Sequence, residues 1–136
     1  LLVFFFFFGF VSSSKAQQQP SDIQQIETTI GWYFDGWGTG DTTKLGKAMH
    51  SSCHLKSFRD GKFNDIPKAE YLSRFKPRAK PDSLVTRIVS IDITGNIAAA
   101  KTEIDTGKDT FTDFFNLIKT DDRWFIVDKI AVRKPK

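Results

Sequence analysis

Cysteine is nearly missing from this chain: Cys53 stands alone among 136 residues, so no disulfide can form within it, whatever compartment it occupies. The fold has to be held by a hydrophobic core. Histidine is almost as scarce, with His50 and His54 only. These two and Cys53 invite a metal reading, since the imidazoles stand four apart with a thiol between them. That spacing presents two ligands on one side only in a helix, and Ser51-Ser52 falls where a helix should give way to a strand. No metal is therefore expected; His50 is assigned to a pocket rim and His54 to the surface. A glycine-rich phosphate loop, a Cys-x-x-Cys pair and a nucleophile elbow are also missing, so nothing implies a cofactor. The charge excess is small, 20 Lys and Arg against 16 Asp and Glu for a formal +4. Such mild basicity lacks the concentrated face of a nucleic-acid binder.

Long apolar runs are confined to one place, the Phe-rich stretch Leu1 to Val11. It is too short to cross a bilayer comfortably, and Ser14-Lys15-Ala16 offers small residues three before and one before a cut. The expectation is a signal peptide over 1–16, whose start lies upstream because Met and a basic n-region are absent. Export to a secreted or periplasmic location would follow, with no stable membrane association after cleavage. A short tail, 17–22, would then lead into one domain over 23–132, closed by a tail of 133–136. The length suits a single core.

What is present in quantity is alternation. Phe111 to Val132 reads as two strands of period two about a tight Asp121-Asp122 turn. A two-residue turn sets Lys119 opposite Trp124, Leu117 opposite Ile126, Phe115 opposite Asp128 and Asp113 opposite Ile130. One face then carries Phe111, Asp113, Phe115, Leu117, Trp124, Ile126, Asp128 and Ile130. The other carries Phe114, Ile118, Phe125 and Val127 beside Thr112, Asn116 and Lys129. Both faces need cover.

Upstream, Ser21-Asp22-Ile23-Gln24 has the form of a capping box, and Ile23, Ile26, Ile30, Tyr33 and Trp37 make one helical stripe. Gly36, Gly38 and Gly40 end that helix; Asp41 caps a second with Leu45, Ala48 and Met49 inward. Leu55 to Phe63 predicts a hairpin about Asp60-Gly61. Asp65 is expected to cap a third helix, with Ile66, Ala69, Leu72 and Phe75 along one side, before a basic, proline-marked loop over Lys76 to Pro81. A meander follows: Leu84 to Thr94, a Gly95-Asn96 turn, Ile97 to Asp105, and then the long hairpin. The pairing rule puts Arg87, Val89, Ile91 and Ile93 beside Ala98, Ala100, Thr102 and Ile104. It also sets Thr102 beside Asp113 and Ala100 beside Phe115. The fold class is α+β, N-terminal helices on the inner face of a curved antiparallel sheet. Small residues in the middle of that face leave space for a pocket.

This order of elements, with Tyr33, Gly36, Gly40-Asp41, Met49-His50, Asp60-Gly61-Lys62, Asp113-Phe114-Phe115-Asn116-Leu117 and Trp124-Phe125-Ile126-Val127-Asp128-Lys129, resembles the putative lumazine-binding family. That family lies within the nuclear transport factor 2-like superfamily, of cystatin-like shape, beside SnoaL-like cyclases and ketosteroid isomerases. The resemblance covers about Ile23 to Val132. It implies a cone-shaped pocket and a homodimer, and because superfamily enzymes place acids or bases in that pocket it opens general acid-base chemistry to a buried carboxylate.

The candidate site follows from the predicted inner face. Asp113 and Asp128 lie among Phe, Trp and Ile, where a carboxylate must be paired, hydrogen-bonded or protonated. They are the catalytic candidates; the alternative is that either pairs with Arg87 or accepts from Tyr33, Tyr71 or Thr102 and only shapes the cavity. Tyr33, Trp37, Tyr71, Phe111, Phe115 and Trp124 can stack a flat heterocycle or simply fill a core. His50, Arg87 and Thr102 complete the pocket set. Phe114, Ile118, Phe125 and Val127 are the candidate dimer interface. The leading expectation is an exported small-molecule-binding protein with an aromatic, acidic pocket and a homodimeric state. The alternatives are a cofactor-independent isomerase, cyclase or hydrolase using a pocket Asp, and a structural dimer without ligand.

Overall fold

The computed structural model describes residues 20–121 and 123–136; the expected signal peptide lies outside them. Ser21 caps α1 (Asp22–Thr39) by a complete capping box, its Oγ accepting from the Gln24 amide while the Gln24 side chain accepts from the Ser21 amide. Such a cap stabilises a helix by about 1 kcal/mol. Ile26, Ile30 and Tyr33 are fully buried, whereas Ile23 in the first turn is exposed. Gly40 ends the helix in the left-handed region at φ 68°, and Asp41 caps the short α2 (Thr42–Ala48) by accepting from the Thr43 and Lys44 amides.

Chain then enters β1 (Met49–Arg59), turns at Asp60-Gly61 and returns as β2 (Lys62–Pro67), with Arg59 opposite Lys62 as the hairpin signal requires. The third helix differs from expectation. Asp65 remains in β2, opposite Lys56, and α3 (Lys68–Ser73) starts only after Pro67. Physically, Asp65 is held in the strand by the β1 ladder and by its 2.7 Å contact with His54 Nδ1, so Pro67, with its fixed φ, takes the cap position. The basic loop has a structural duty: Arg78 donates to the carbonyls of Trp37 and Gly38, satisfying the open C-terminal end of α1.

Four more strands, β3 (Val85–Thr94), β4 (Ile97–Asp105), β5 (Asp109–Thr120) and β6 (Arg123–Pro135), build the sheet. Its order is β2-β1-β6-β5-β4-β3, antiparallel except where β1 runs parallel to β6. The helices lie over one face, with the Thr29 hydroxyl donating to the Trp124 carbonyl inside the core. Thr102 pairs with Asp113 and Ala100 with Phe115, as the alternation predicts.

Two single-residue bulges leave the expected pairs next to each turn, such as Lys119 with Trp124 and Ile93 with Ala98, and overturn those beyond. On β6, Leu117 faces Ile126 but Asn116 faces Asp128 and Phe115 faces Lys129, so Val127 is an extra residue. One inserted residue sends every later side chain to the opposite face. Asp128 and Ile130 therefore leave the inner face, and Lys129 and Ala131 enter it. On β3, Ile91 faces Ala100 yet Ile88 faces Thr102, with Val89 as the extra residue. Arg87 is turned outward by the same logic and pairs with Glu103 at 2.5 Å.

Candidate functional site

Between the rim of the sheet and the helices α1 and α3 lies a cleft of about 890 Å³. Trp37 of α1, Tyr71 of α3, Phe111 of β5, and Leu55 and Ile66 of the β1–β2 hairpin supply its apolar lining. Trp37 and Phe111 meet edge to face, with ring centroids 5.3 Å apart. These two belong to different elements and are brought together because α1 runs to Thr39 before Gly40 breaks it.

Lys129 lines this cleft and also enters the core. Its ammonium nitrogen lies 3.1 Å from Asp113 Oδ1, with the two side chains 7% and 2% exposed. The same nitrogen stands 5.5 Å from the centre of the Tyr33 ring and 5.4 Å from that of Tyr71, within range of a cation–π attraction. The two phenol oxygens are 2.8 Å apart and share a hydrogen bond. Thr102, fully buried opposite Asp113, has an Oγ1 with no hydrogen-bond partner among the described residues. The result is a small polar floor beneath an aromatic cleft.

Burial governs the ionisation of this floor. It pushes the Asp113 carboxyl up, and the neighbouring Lys129 charge only partly opposes it. Burial pulls on Lys129 in the opposite sense, but Tyr71 and Asp113 outweigh it and hold the ammonium protonated. The Tyr33 and Tyr71 phenols are raised chiefly by desolvation. Cys53, buried in the core, is pushed up to about 11 by burial first and by Asp128 second, which makes it a poor nucleophile at neutral pH.

Several residues expected at the site stand elsewhere. Asp128 is beyond the β6 bulge and forms a 2.6 Å ion pair with Lys56, so it does not share a face with Asp113. Arg87 is on the outer side of β3. His50 packs edge to face on Phe125, 5.7 Å between centroids, and its Nδ1 is 2.7 Å from Ser52 Oγ. Trp124 is core, donating its indole N–H to Asp22 Oδ1 at 3.0 Å, and Phe115 lies in the core against Tyr33. Tyr33, Tyr71, Thr102 and Asp113 come together, with Trp37 and Phe111 on the wall. Lys129 is the residue that alternation alone placed on the wrong side. Ile130, Ala131 and Val132 are all apolar, so both registers leave a plausible inner strand and no pattern in the sequence chooses between them.

A family model described as putative lumazine-binding matches residues 21–130. Among solved structures, a nuclear transport factor 2-like protein of unknown function from Shewanella baltica OS155 is 27% identical, with a TM-score of 0.75 over 87% of this chain and 100% of that one. A second such protein of unknown function, from Methylobacillus flagellatus KT, is 25% identical, with a TM-score of 0.74 over 83% and 92% of the two chains. A domain of cystatin-like fold from Nostoc punctiforme PCC 73102 shares the fold at 14% identity, with a TM-score of 0.67 over 86% and 80%. No curated protein matches the chain.

Proposed function

Because this chain belongs to the putative lumazine-binding family of nuclear transport factor 2-like proteins, we propose that it binds a small, flat molecule in the cleft above Lys129. The observation that carries this reading is the joining of an aromatic-walled cleft to a buried ion pair through one side chain, Lys129. Clefts of this size with few placed polar groups are the usual form of small-molecule sites. The family's description points to a flat heterocycle, and Trp37, Tyr71 and Phe111 are the rings to stack one. Catalysis as the alternative now rests on Asp113 without Asp128, since the β6 bulge separates the two carboxylates. For the test, Ala131, a small inward residue of β6 that lines the cleft, is replaced by Trp as a plug. Native mass spectrometry of the purified chain is expected to show a noncovalent adduct that the Ala131→Trp protein lacks. An adduct of unchanged abundance in the plugged protein would place the ligand elsewhere.

Export is proposed on the strength of the Leu1 to Val11 run and the small-residue boundary at Ala16. Protein recovered outside the producing cell should have its N-terminus near Gln17, and N-terminal sequencing that reads through Lys15 would refute it. Pairing of two copies through the outer face of the sheet is also proposed. Phe114 is 49% and Ile130 50% exposed as direct cross-strand neighbours, and Ile118 beside Phe125 continues the apolar surface. An isologous contact would cover it. Analytical ultracentrifugation is expected to give a dimer that Phe114→Lys converts to a soluble monomer; a monomeric parent protein at high concentration ends the proposal.

A further inference from the structure

The charges around the cleft are one-sided. By strand alternation, Lys129 and Arg133 of β6, Arg59 of β1 and Lys62 of β2 share the inner face of the rim, and Arg74 joins them from the end of α3. Asp60, in the β1–β2 turn, is the acid on the lining. Acids outside the lining pair with three of them, Glu70 with Arg74, Asp109 with Arg133 and Asp113 with Lys129, and Asp60 lies 3.5 Å from Arg59. The charged groups that the cleft presents to a ligand are therefore cations, with Asp60 the exception. Depth sorts them further. Arg59 and Arg74 are exposed and screened by water, whereas Lys129 is almost completely buried, where a charge interaction is far stronger. Ala131 stands between Lys129 and Arg133 on the same face. At about 3.3 Å of rise per strand residue, that gap is roughly 13 Å long, with a floor of one methyl group and walls of Trp37, Tyr71 and Phe111.

Resting on the cleft reading above, we infer that the ligand is a flat aromatic ring bearing a carboxylate, the ring over Ala131 and the carboxylate on the ammonium of Lys129. Asp113 is then a built-in competitor for the charge of Lys129: its Oδ1 lies at ion-pair distance, 3.1 Å from Nζ, without a hydrogen bond, so the donors of the ammonium are left for the ligand. Lys129 Nζ has Asp113 as its acid within ion-pair distance among the described residues, and an ammonium carries three donors. A compact carboxylate suits a floor with a single buried cation; a phosphate dianion would bring more charge than this floor can neutralise.

The test uses 2-naphthoate and its neutral isostere 2-naphthamide, titrated into the full chain by isothermal calorimetry. The acid is expected to bind at least about tenfold more tightly than the amide, the usual advantage of a charge-assisted hydrogen bond over a neutral one. Lys129→Gln should bring the two probes to within about threefold of each other, by the same conversion. Asp113→Asn should tighten naphthoate about fivefold or more, because the competitor for Lys129 has lost its charge. That gain of affinity is the readout that a merely structural Asp113 would not give. If either variant is too unstable to titrate, the acid-to-amide ratio in the parent protein decides alone. Equal affinities for acid and amide in the parent protein overturn the carboxylate and leave the cleft reading standing. Failure of both probes to bind overturns the inferred ligand class, while the Ala131→Trp plug judges the cleft itself.

Discussion

Lys129→Met is expected to destabilise the domain by about 3–5 kcal/mol, the usual cost of removing one partner from a buried ion pair and leaving the other charge uncompensated. Asp113 is that other charge, 2% exposed and already raised by burial with Lys129 in place. Replacing both residues by apolar ones of similar volume, Lys129→Met with Asp113→Leu, should restore most of the loss, because neither charge then has to be desolvated. Urea denaturation of the parent, the two single variants and the double variant closes the cycle. A double variant as unstable as Lys129→Met would mean that the cost comes from lost packing of the lysine stem instead.

The pH dependence has a definite sign. A carboxyl whose folded pKa is raised binds more protons in the folded than in the unfolded state between the two values. Its contribution to stability is therefore complete below the unfolded value of about 3.8 and falls as pH rises through the folded one. Without Lys129 that folded value should rise further, so the deficit of Lys129→Met relative to the parent should shrink on acidification from neutral pH. Asp22 and Asp105 are lowered, chiefly by the Lys119 and Lys136 side chains respectively, and work in the opposite direction. They do so in parent and variant alike, which is why the difference between the two proteins is the quantity to follow.

Gly40→Ala should be nearly as damaging, for a reason confined to backbone. Gly40 has φ 68°, and a Cβ built there would lie 1.9 Å from the Lys76 carbonyl oxygen. The left-handed conformation costs a residue with a side chain about 1–2 kcal/mol, and forcing apart the α1 terminus and the proline loop adds about 1–3 kcal/mol. Gly61 is the control. Its φ is 72°, yet nothing lies within 4 Å of its Cβ position, so Gly61→Ala should lose only the conformational part. Since Arg78 of the same loop holds the carbonyls of Trp37 and Gly38, Gly40→Ala should also disturb the Trp37 wall of the cleft. Equal midpoints for the two alanine variants in thermal unfolding would show that the loop yields without cost.

The sequence by itself determined what local chemistry and short-range alternation can specify. Ser21 with Gln24, Asp41 and Asp60-Gly61 each act within a few residues, and each folds as its chemistry requires. The β4–β5 pairing was legible because no residue is inserted in it, so a constant index sum holds from Ile97 opposite Ile118 to Asp105 opposite Thr110. Tertiary structure decided the rest. Val89 and Val127 are ordinary strand residues, and their bulges arise without a glycine to announce them, from the bending that lets a sheet curve over helices. The Val127 bulge exchanged Asp128 for Lys129 at the centre of the cleft and turned an expected pair of acids into an acid facing a base. Asp65, which has the chemistry of a helix cap, was kept in β2 by the ladder to β1, where cross-strand pairing outweighs a local preference. A bulge moves every later side chain by one face while leaving the hydrophobic pattern of Ile130, Ala131 and Val132 almost equally satisfied, and so the identity of the buried base could be settled only by three-dimensional pairing.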